Sequence, residues 1–471
     1  MEERVRLEKA FKPANIWAIA LGTIIGFGCF ILPGDWLGQA GPLGAAIGLA
    51  LGGSIMLLVG RSYGFMVRSF PVAGGEFAYA YKGFGRNHAF VCGWLLSLAY
   101  LCIVPVNATA LAILAKFVAP DLFTRGLLYS IAGSKIYIGE ILLATSTILL
   151  FGYFNYRGAK LVGNLQLLMV LLLVGSVIML GVGTVLRADN AVKHIQPFFA
   201  PGQPSIVSIL LILAIAPWAF CGFDTIPQAA EEFSFSPDKA LKLIVLALAF
   251  AAVMYVTVII STAAVFPWEG FIAGKPVWAT GAAMKACMGN FGLTVLIVGV
   301  IMAMCTGING FYVATSRLLF SMARAKVLPA WFAKVHPVHK TPSNAIIFIM
   351  AVSLSAPWFG RQVLLWIVEM SATGTSVGYL YTCLSAWFLS KSLGTGSTRF
   401  THLLAALFSA GFLVLLCVPG LPTVMKVPTW IAFGVWITMG VTFYLMQGKE
   451  YRAIPKQQLD SLILDATAKL E

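Results

Sequence analysis

Runs of about 20 mostly apolar residues, the length a helix needs to cross a bilayer, recur along the chain between short intervals that hold most of its charge. They predict twelve membrane-spanning helices, at 15–39, 42–66, 88–115, 137–154, 162–186, 206–230, 241–266, 291–322, 344–358, 363–389, 402–418 and 429–446. Two runs carry residues that a helix tolerates poorly. In the first, GTIIGFGCFILPG places Gly22, Gly26, Gly28, Pro33 and Gly34 within 13 residues. Glycine costs about 1 kcal/mol and proline about 3 kcal/mol relative to alanine inside a helix, so this run is predicted to break. The sixth has the same character: IAPWAFCGFDTIPQAAEEF, Ile215 to Phe233, holds Pro217, Gly222, Pro227 and an acid, Asp224, within an apolar helix.

Breaks in two corresponding spans fit a chain built from two inverted halves. The first repeat then covers 15–186 and the second 206–390, with helices 11 and 12 at 401–447 outside the repeat. Tails at 1–14 and 448–471 flank them. Unwinding frees N–H and C=O groups that have no partner in lipid and must meet substrate, ion or water. The N-terminal ends of half-helices suit a carboxylate and the C-terminal ends an ammonium group. An α-amino acid carries both, so the pattern favours a zwitterion over a sugar or a lipid. Gly41, Gly44, Gly48 and Gly52, three or four apart in the second run, are instead read as close helix packing.

Composition and charge narrow the class. With 59% hydrophobic and 11% charged residues and a mean hydropathy of +0.88, the chain lies outside the range of soluble domains. An even number of spans puts both termini on one side, and 23 of the 32 Lys and Arg fall in the tails and in alternate loops. Both termini are therefore expected in the cytoplasm, with the protein in the plasma (inner) membrane. The net charge of +14 is first a topology signal, and the basic tails also suit anionic lipid headgroups. Nucleic-acid binding is disfavoured, since the chain has no long soluble domain and no phosphate-cradling glycine loop.

Eight cysteines fall mostly within spans, as Cys102, Cys221 and Cys305 do, without CxxC pairs or histidines at ligand spacing. No metal and no cofactor is expected. No Ser/His/Asp set or HExxH motif points to an enzyme, and His336 and His339 fall in a basic loop. The tail MEERVRLEKAFK feeds a full-length apolar run, unlike a cleavable signal peptide. Asn107 begins an N-x-T sequon inside span three, where it is read as facing the pocket rather than carrying a glycan.

Four segments in order, GTIIGFGCFILPG, FPVAGGEFAYAYKGFG, WAFCGFDTIPQAAEE and NGFYVATSRLLFSMARAKVLPAWFAKVHPVHKTP, resemble the amino acid/polyamine/organocation (APC) superfamily of permeases over about the first 390 residues. The resemblance implies an all-α membrane protein with the leucine-transporter fold, in which helices 1 and 6 are discontinuous. It implies that backbone amides of Ile24, Ile25, Gly26, Phe27 and Gly28 hold a substrate carboxylate. Carbonyls near Trp218, Ala219, Phe220 and Cys221 would then hold the amino group, and Trp218 would close over the substrate. Phe27 stands where several relatives have a small residue, which implies a narrower or more apolar pocket. In the family the FPVAGGEFAYAYKGFG loop forms a short cytoplasmic helix of the inner gate, although Tyr79, Tyr81 and Phe84 would equally suit an interfacial belt.

The resemblance also implies where a coupling ion would act. A candidate cation site would comprise Gly22, Ile25 and Thr306, with Gly307 lacking a second hydroxyl, while Leu173 takes the place of a lysine found in some proton-coupled relatives. Intramembrane acids are costly to bury, so Asp224 and Glu369 are candidates for proton coupling or gating alongside Trp218. Glu231 and Glu232 fit either a gate or a solvated helix end, and Arg317 and Arg324 read as topology anchors and loop partners. The expected function is secondary active transport of amino acids by alternating access, as proton symport or exchange, with sodium as the weaker alternative. An amine such as ethanolamine or putrescine is the alternative substrate, which would place Asp224 or Glu369 against an ammonium group. A channel would need a continuous polar pore, whereas the polar residues cluster near two breaks.

Overall fold

The computed structural model describes residues 6–131, 134–276, 278–359, 361–393, 398–421 and 424–465. The outermost parts of both predicted tails, 1–5 and 466–471, lie outside the described residues. The chain is an all-α membrane protein, with one antiparallel hairpin among the described residues.

The first predicted span is interrupted: α1 (Pro13–Ile24) stops, and α2 (Gly28–Ile31) leads into α3 (Pro33–Ser69). Gly41, inside α3, adopts φ +72°, and a side chain there would lie 2.6 Å from the Phe199 carbonyl carbon. That corner falls between the first two predicted spans, so Gly41 turns the chain, whereas Gly48 and Gly52 do pack closely, against Ile212 and Ala216. The short α4 (Gly75–Phe84) connects to the long α5 (Arg86–Val118) and a turn of helix, α6 (Pro120–Phe123). The hairpin of β1 (Leu127–Ile131) and β2 (Ser134–Tyr137) precedes α7 (Ile138–Arg157), α8 (Ala159–Arg187) and the turn α9 (Ala191–His194).

The sixth predicted span is also in pieces, α10 (Ser205–Leu213), α11 (Ala216–Ala219) and α12 (Thr225–Gln228). After it come α13 (Ala240–Ala264), α14 (Trp268–Ala273) and α15 (Ala279–Arg324), the last bent at Gly289 with φ +63°. The chain closes with α16 (Ser343–Ser353), α17 (Arg361–Ser392), α18 (Arg399–Cys417), α19 (Val427–Ala453) and α20 (Lys456–Leu464). Among the described residues eight helices are long and apolar enough to cross a membrane, and α1 and α16 are shorter apolar helices.

Burial separates centre from rim. The most apolar window of α5 is 89% buried and that of α19 is 17% buried, so α5 runs through the bundle and α19 lines its edge. Leu168, Leu171, Ile178 and Val185 of α8 are exposed, a surface that would aggregate in water but matches lipid tails. α13 packs on α3, α15 on α8 and α17 on α5, which encloses both interrupted spans.

The two tails meet on one face, where Arg6 pairs with Asp465 at 3.1 Å. The amides of Ala10 and Phe11 donate to the Glu232 carbonyl, and Tyr81 donates to Asp460 at 2.9 Å. On the same face Glu231 and Glu232 form ion pairs that their sequence context did not reveal. Arg317 donates twice to Glu232, at 2.7 and 3.0 Å, with both side chains 1% exposed. Arg324 donates to both oxygens of Glu231 at 3.0 Å. These pairs fasten the C-terminal end of α15 to the end of the second broken span.

Removing one partner of a buried pair leaves an uncompensated charge, at a cost of about 3–5 kcal/mol. Glu232→Gln should therefore lower the melting temperature of the purified protein clearly, whereas Asp238→Asn, from the exposed Arg68 pair, should leave it unchanged. Equal melting temperatures for the two variants would contradict a structural role for the Arg317 pair.

Candidate functional site

The two interruptions lie against each other. Gly222 has φ +139°, and a Cβ there would sit 2.5 Å from the Ile24 amide nitrogen and 2.7 Å from the Thr23 carbonyl carbon. Only glycine lets the second break approach the first this closely. Thr23 donates its hydroxyl to the Gly222 carbonyl at 3.1 Å. From α13, Tyr255 donates to the Ala219 carbonyl at 2.8 Å and its hydroxyl oxygen also lies 3.3 Å from the Ile24 carbonyl, so one hydroxyl touches both breaks.

Past Ile24 the α1 ladder ends, with Ile25 at ψ 82° and the Gly26 amide turned back to the Ile24 carbonyl at 3.1 Å. Among the described residues the amides of Phe27, Gly28 and Cys29 donate no backbone hydrogen bond, and the Phe220 carbonyl accepts none. In the second break the Trp218 carbonyl is taken by the Cys221 amide at 3.2 Å. The proposed carboxylate and ammonium contacts thus differ in availability: the first break has free donors, while Trp218 and Ala219 have engaged carbonyls.

Side chains close the junction. The Trp218 ring lies over Gly28, where a Cβ would be 2.4 Å from it, and meets Phe27 edge to face with centroids 5.7 Å apart. Asn107 of α5 donates to the Ile103 carbonyl at 3.0 Å, and its Oδ1 is buried without a partner in the described structure. That oxygen would be 3.5 Å from a Cβ on Gly26, which places Asn107 beside the first break. Gly26, Phe27, Gly28, Asn107 and Trp218 therefore form one group.

Asp224 sits behind the break. Its Oδ1 accepts the Gly222 amide at 2.7 Å, its Oδ2 accepts the Tyr100 hydroxyl at 2.7 Å, and the Cys221 thiol faces it at 3.9 Å. Tyr100 also reaches Glu76 of α4 at 3.1 Å, and Gln228 donates to the other Glu76 oxygen. Neither Tyr100 nor Glu76 was singled out from sequence. A lone acid in the small-residue run GGEFAYAY was the available signal.

Glu369 lies apart from this group. It accepts the Lys426 amide at 3.1 Å and the Thr429 hydroxyl, so it caps the start of α19. Around Gly22, Thr306 donates directly to the Gly22 carbonyl at 2.8 Å. The α8 residue that reaches this point is Gln166 rather than Leu173. Its amide donates to the carbonyls of Ala18 at 3.3 Å and Thr306 at 3.2 Å and accepts from Asn309 at 2.8 Å. A neutral amide network thus occupies the surroundings of the candidate cation site.

Interrupted spans joined back to back inside a helical membrane bundle define a permease-type protein. A family model described as amino acid permease matches residues 11–443, and the chain belongs to that family. It is 27% identical to the methylthioribose transporter of Bacillus subtilis over 96% of this chain and 95% of the relative. It is 27% identical to the branched-chain amino acid permease BcaP of Bacillus subtilis over 74% of each chain. It is 24% identical to the low-affinity putrescine importer PlaP of Escherichia coli over 84% of each chain.

Because Gly222 combines a left-handed φ with backbone neighbours, a methyl group there has nowhere to go. Gly222→Ala should destabilise the protein by about 1–3 kcal/mol from backbone strain alone. Gly175→Ala, which meets open space on α8, should be neutral in the same thermal melting assay. Identical melting for both would mean that the breaks are not in contact.

Proposed function

We propose that the protein is a secondary active transporter that carries α-amino acids across the plasma (inner) membrane by alternating access. Both termini are cytoplasmic in this reading, and the first five spans and the next five act as inverted repeats. The observation that carries it is the junction of the two breaks, where the amides of Phe27 and Gly28 in the first break and the Phe220 carbonyl in the second make no backbone hydrogen bond. Those donors suit a carboxylate, and the carbonyl an ammonium group, at one place. Similarity to a branched-chain amino acid permease supports an apolar side chain, for which Phe27 and Trp218 offer a matching wall. Coupling to protons is supported by the buried Asp224 directly behind the break.

Two other substrate classes have a specific basis. One relative matched over nearly its whole length is a methylthioribose transporter, and the uncharged lining of the junction would accept a neutral molecule. An amine has the likeness to a putrescine importer and the buried Asp224 in its favour.

Counterflow into proteoliposomes, preloaded with the same unlabelled compound, separates these without assuming a driving ion. Leucine, isoleucine and valine should accumulate, whereas isobutylamine, putrescine and methylthioribose should not. Accumulation of the amines alone would sink carboxylate recognition, and accumulation of methylthioribose alone would replace the amino acid reading. Asp224→Asn should keep leucine counterflow but lose accumulation driven by a pH gradient.

A further inference from the structure

Among the described residues, four acids are buried: Glu76, Glu140, Asp224 and Glu232. Glu140 pairs with Lys116, and Glu232 with Arg317. Glu76 and Asp224 are fully buried and, among the described residues, have no Lys, Arg or His nitrogen within 4.0 Å. They face each other across the single hydroxyl of Tyr100.

Counting hydrogens decides the protonation of this group. A phenol has one hydrogen to donate, so it can satisfy only one of two carboxylates. If both were ionised, the second would meet the lone pairs of the tyrosine oxygen, and two negative charges would share a dry site without a cation. Like charges so placed do not both ionise, and removing them from water costs several kcal/mol each. With the Tyr100 hydrogen given to one acid, the contacts favour Glu76 as the acid that carries the proton. Asp224 already receives two donors, the Gly222 amide and the Tyr100 hydroxyl, each at 2.7 Å. Glu76 Oε2 receives the Gln228 amide, which leaves Oε1, 3.1 Å from the Tyr100 oxygen, to carry a hydrogen and donate it.

We infer that Glu76, Tyr100 and Asp224 form a proton-binding site that holds one proton on Glu76 and links α4 to the second broken span. The inference rests on the secondary-transport reading above and assigns its proton to a residue outside the breaks. The link spans three elements, since Glu76 belongs to α4, Tyr100 to α5, and Asp224 and Gln228 flank or lie in α12. The fit is close: a Cβ on Gly75 would be 3.0 Å from the Pro227 side chain, and one on Gly74 would be 2.2 Å from Ser321 Oγ. Opening the protein on this side has to separate α4 from α12 or admit water between them. Either event returns Glu76 to an aqueous environment, where it releases its proton, and closure with an ionised Glu76 is disfavoured until a proton is taken up. Opening on this side is therefore linked to the release of one proton, and closing to its uptake.

The other groups around the pair are neutral. Tyr63 faces it from α3, Tyr79 from α4, Cys92 from α5, Cys221 from the second break and Tyr379 from α17. On α15, Arg317 and Arg324 are bound to Glu232 and Glu231.

Infrared titration of the purified full-length protein tests the proton directly and needs no substrate. At pH 7 the wild type should show the carbonyl stretch of a protonated carboxylic acid. Glu76→Gln should abolish that band, and Tyr100→Phe, which deletes a single oxygen, should shift it. Absence of the band in the wild type, an unshifted band in Tyr100→Phe, or a band abolished only by Asp224→Asn would overturn the assignment. Transport of labelled leucine supplies the second readout: Glu76→Gln should retain counterflow and lose the response to a pH gradient. Retention of that response by Glu76→Gln would also overturn the assignment. If the wild type moves no leucine, the amino acid reading fails, and the infrared band still decides the proton site.

Discussion

Interrupting a helix inside a bilayer creates a debt of unpaired backbone groups that lipid cannot settle, and in this chain the contact between Gly222 and Ile24 is what makes the interruption sustainable. Because the two breaks touch, each supplies partners to the other: Thr23 to the Gly222 carbonyl, with the Tyr255 hydroxyl touching the carbonyls of both Ile24 and Ala219. The arrangement has a mechanical consequence. Neither half-helix can shift without loosening groups that belong to the other, so the breaks respond as a unit. The glycines at Gly48 and Gly52 extend the same constraint, since they let α3 lie close to Ile212 and Ala216 beside the second break. What is left over after this mutual satisfaction, the amides at Phe27 to Cys29 and the Phe220 carbonyl, is the surface available to a ligand.

The breaks were legible in the sequence because their signal is local. Glycine and proline act on their own backbone, so GTIIGFGCFILPG and IAPWAFCGFDTIPQ announce an interruption wherever they fold. Apolar run length announced the spans for the same reason, and the corner at Gly41 falls where one run gives way to the next. Partners were not legible. Glu369 read as a functional acid because it lies in an apolar run, yet its carboxylate binds the Lys426 amide, 57 residues later, just before α19 begins. Arg317 and Arg324 read as anchors because charge counting sees only their side of the membrane. The pairing of each with an acid more than 80 residues away depends on how α15 packs. Gln166 escaped notice because an isolated amide in a helix names no partner until α1 and α15 are placed around it.

The acids near the second break are stabilised in two physically different ways, and the difference separates fixed structure from chemistry. Glu231 and Glu232 are held by guanidinium groups, which bring a fixed positive charge to each carboxylate. Asp224 and Glu76 are held by a phenol and amides, which can compensate one negative charge and leave the second acid to bind a proton. Both kinds occur within the nine residues from Asp224 to Glu232, so a displacement of α12 strains the ion pairs and the tyrosine bridge together. Breaking the ion pairs costs energy, whereas breaking the bridge costs less once water can take the Glu76 proton. Under this arrangement the guanidinium pairs set how firmly α15 holds the end of the second broken span, and the tyrosine bridge makes the contact between α4 and that span depend on a proton.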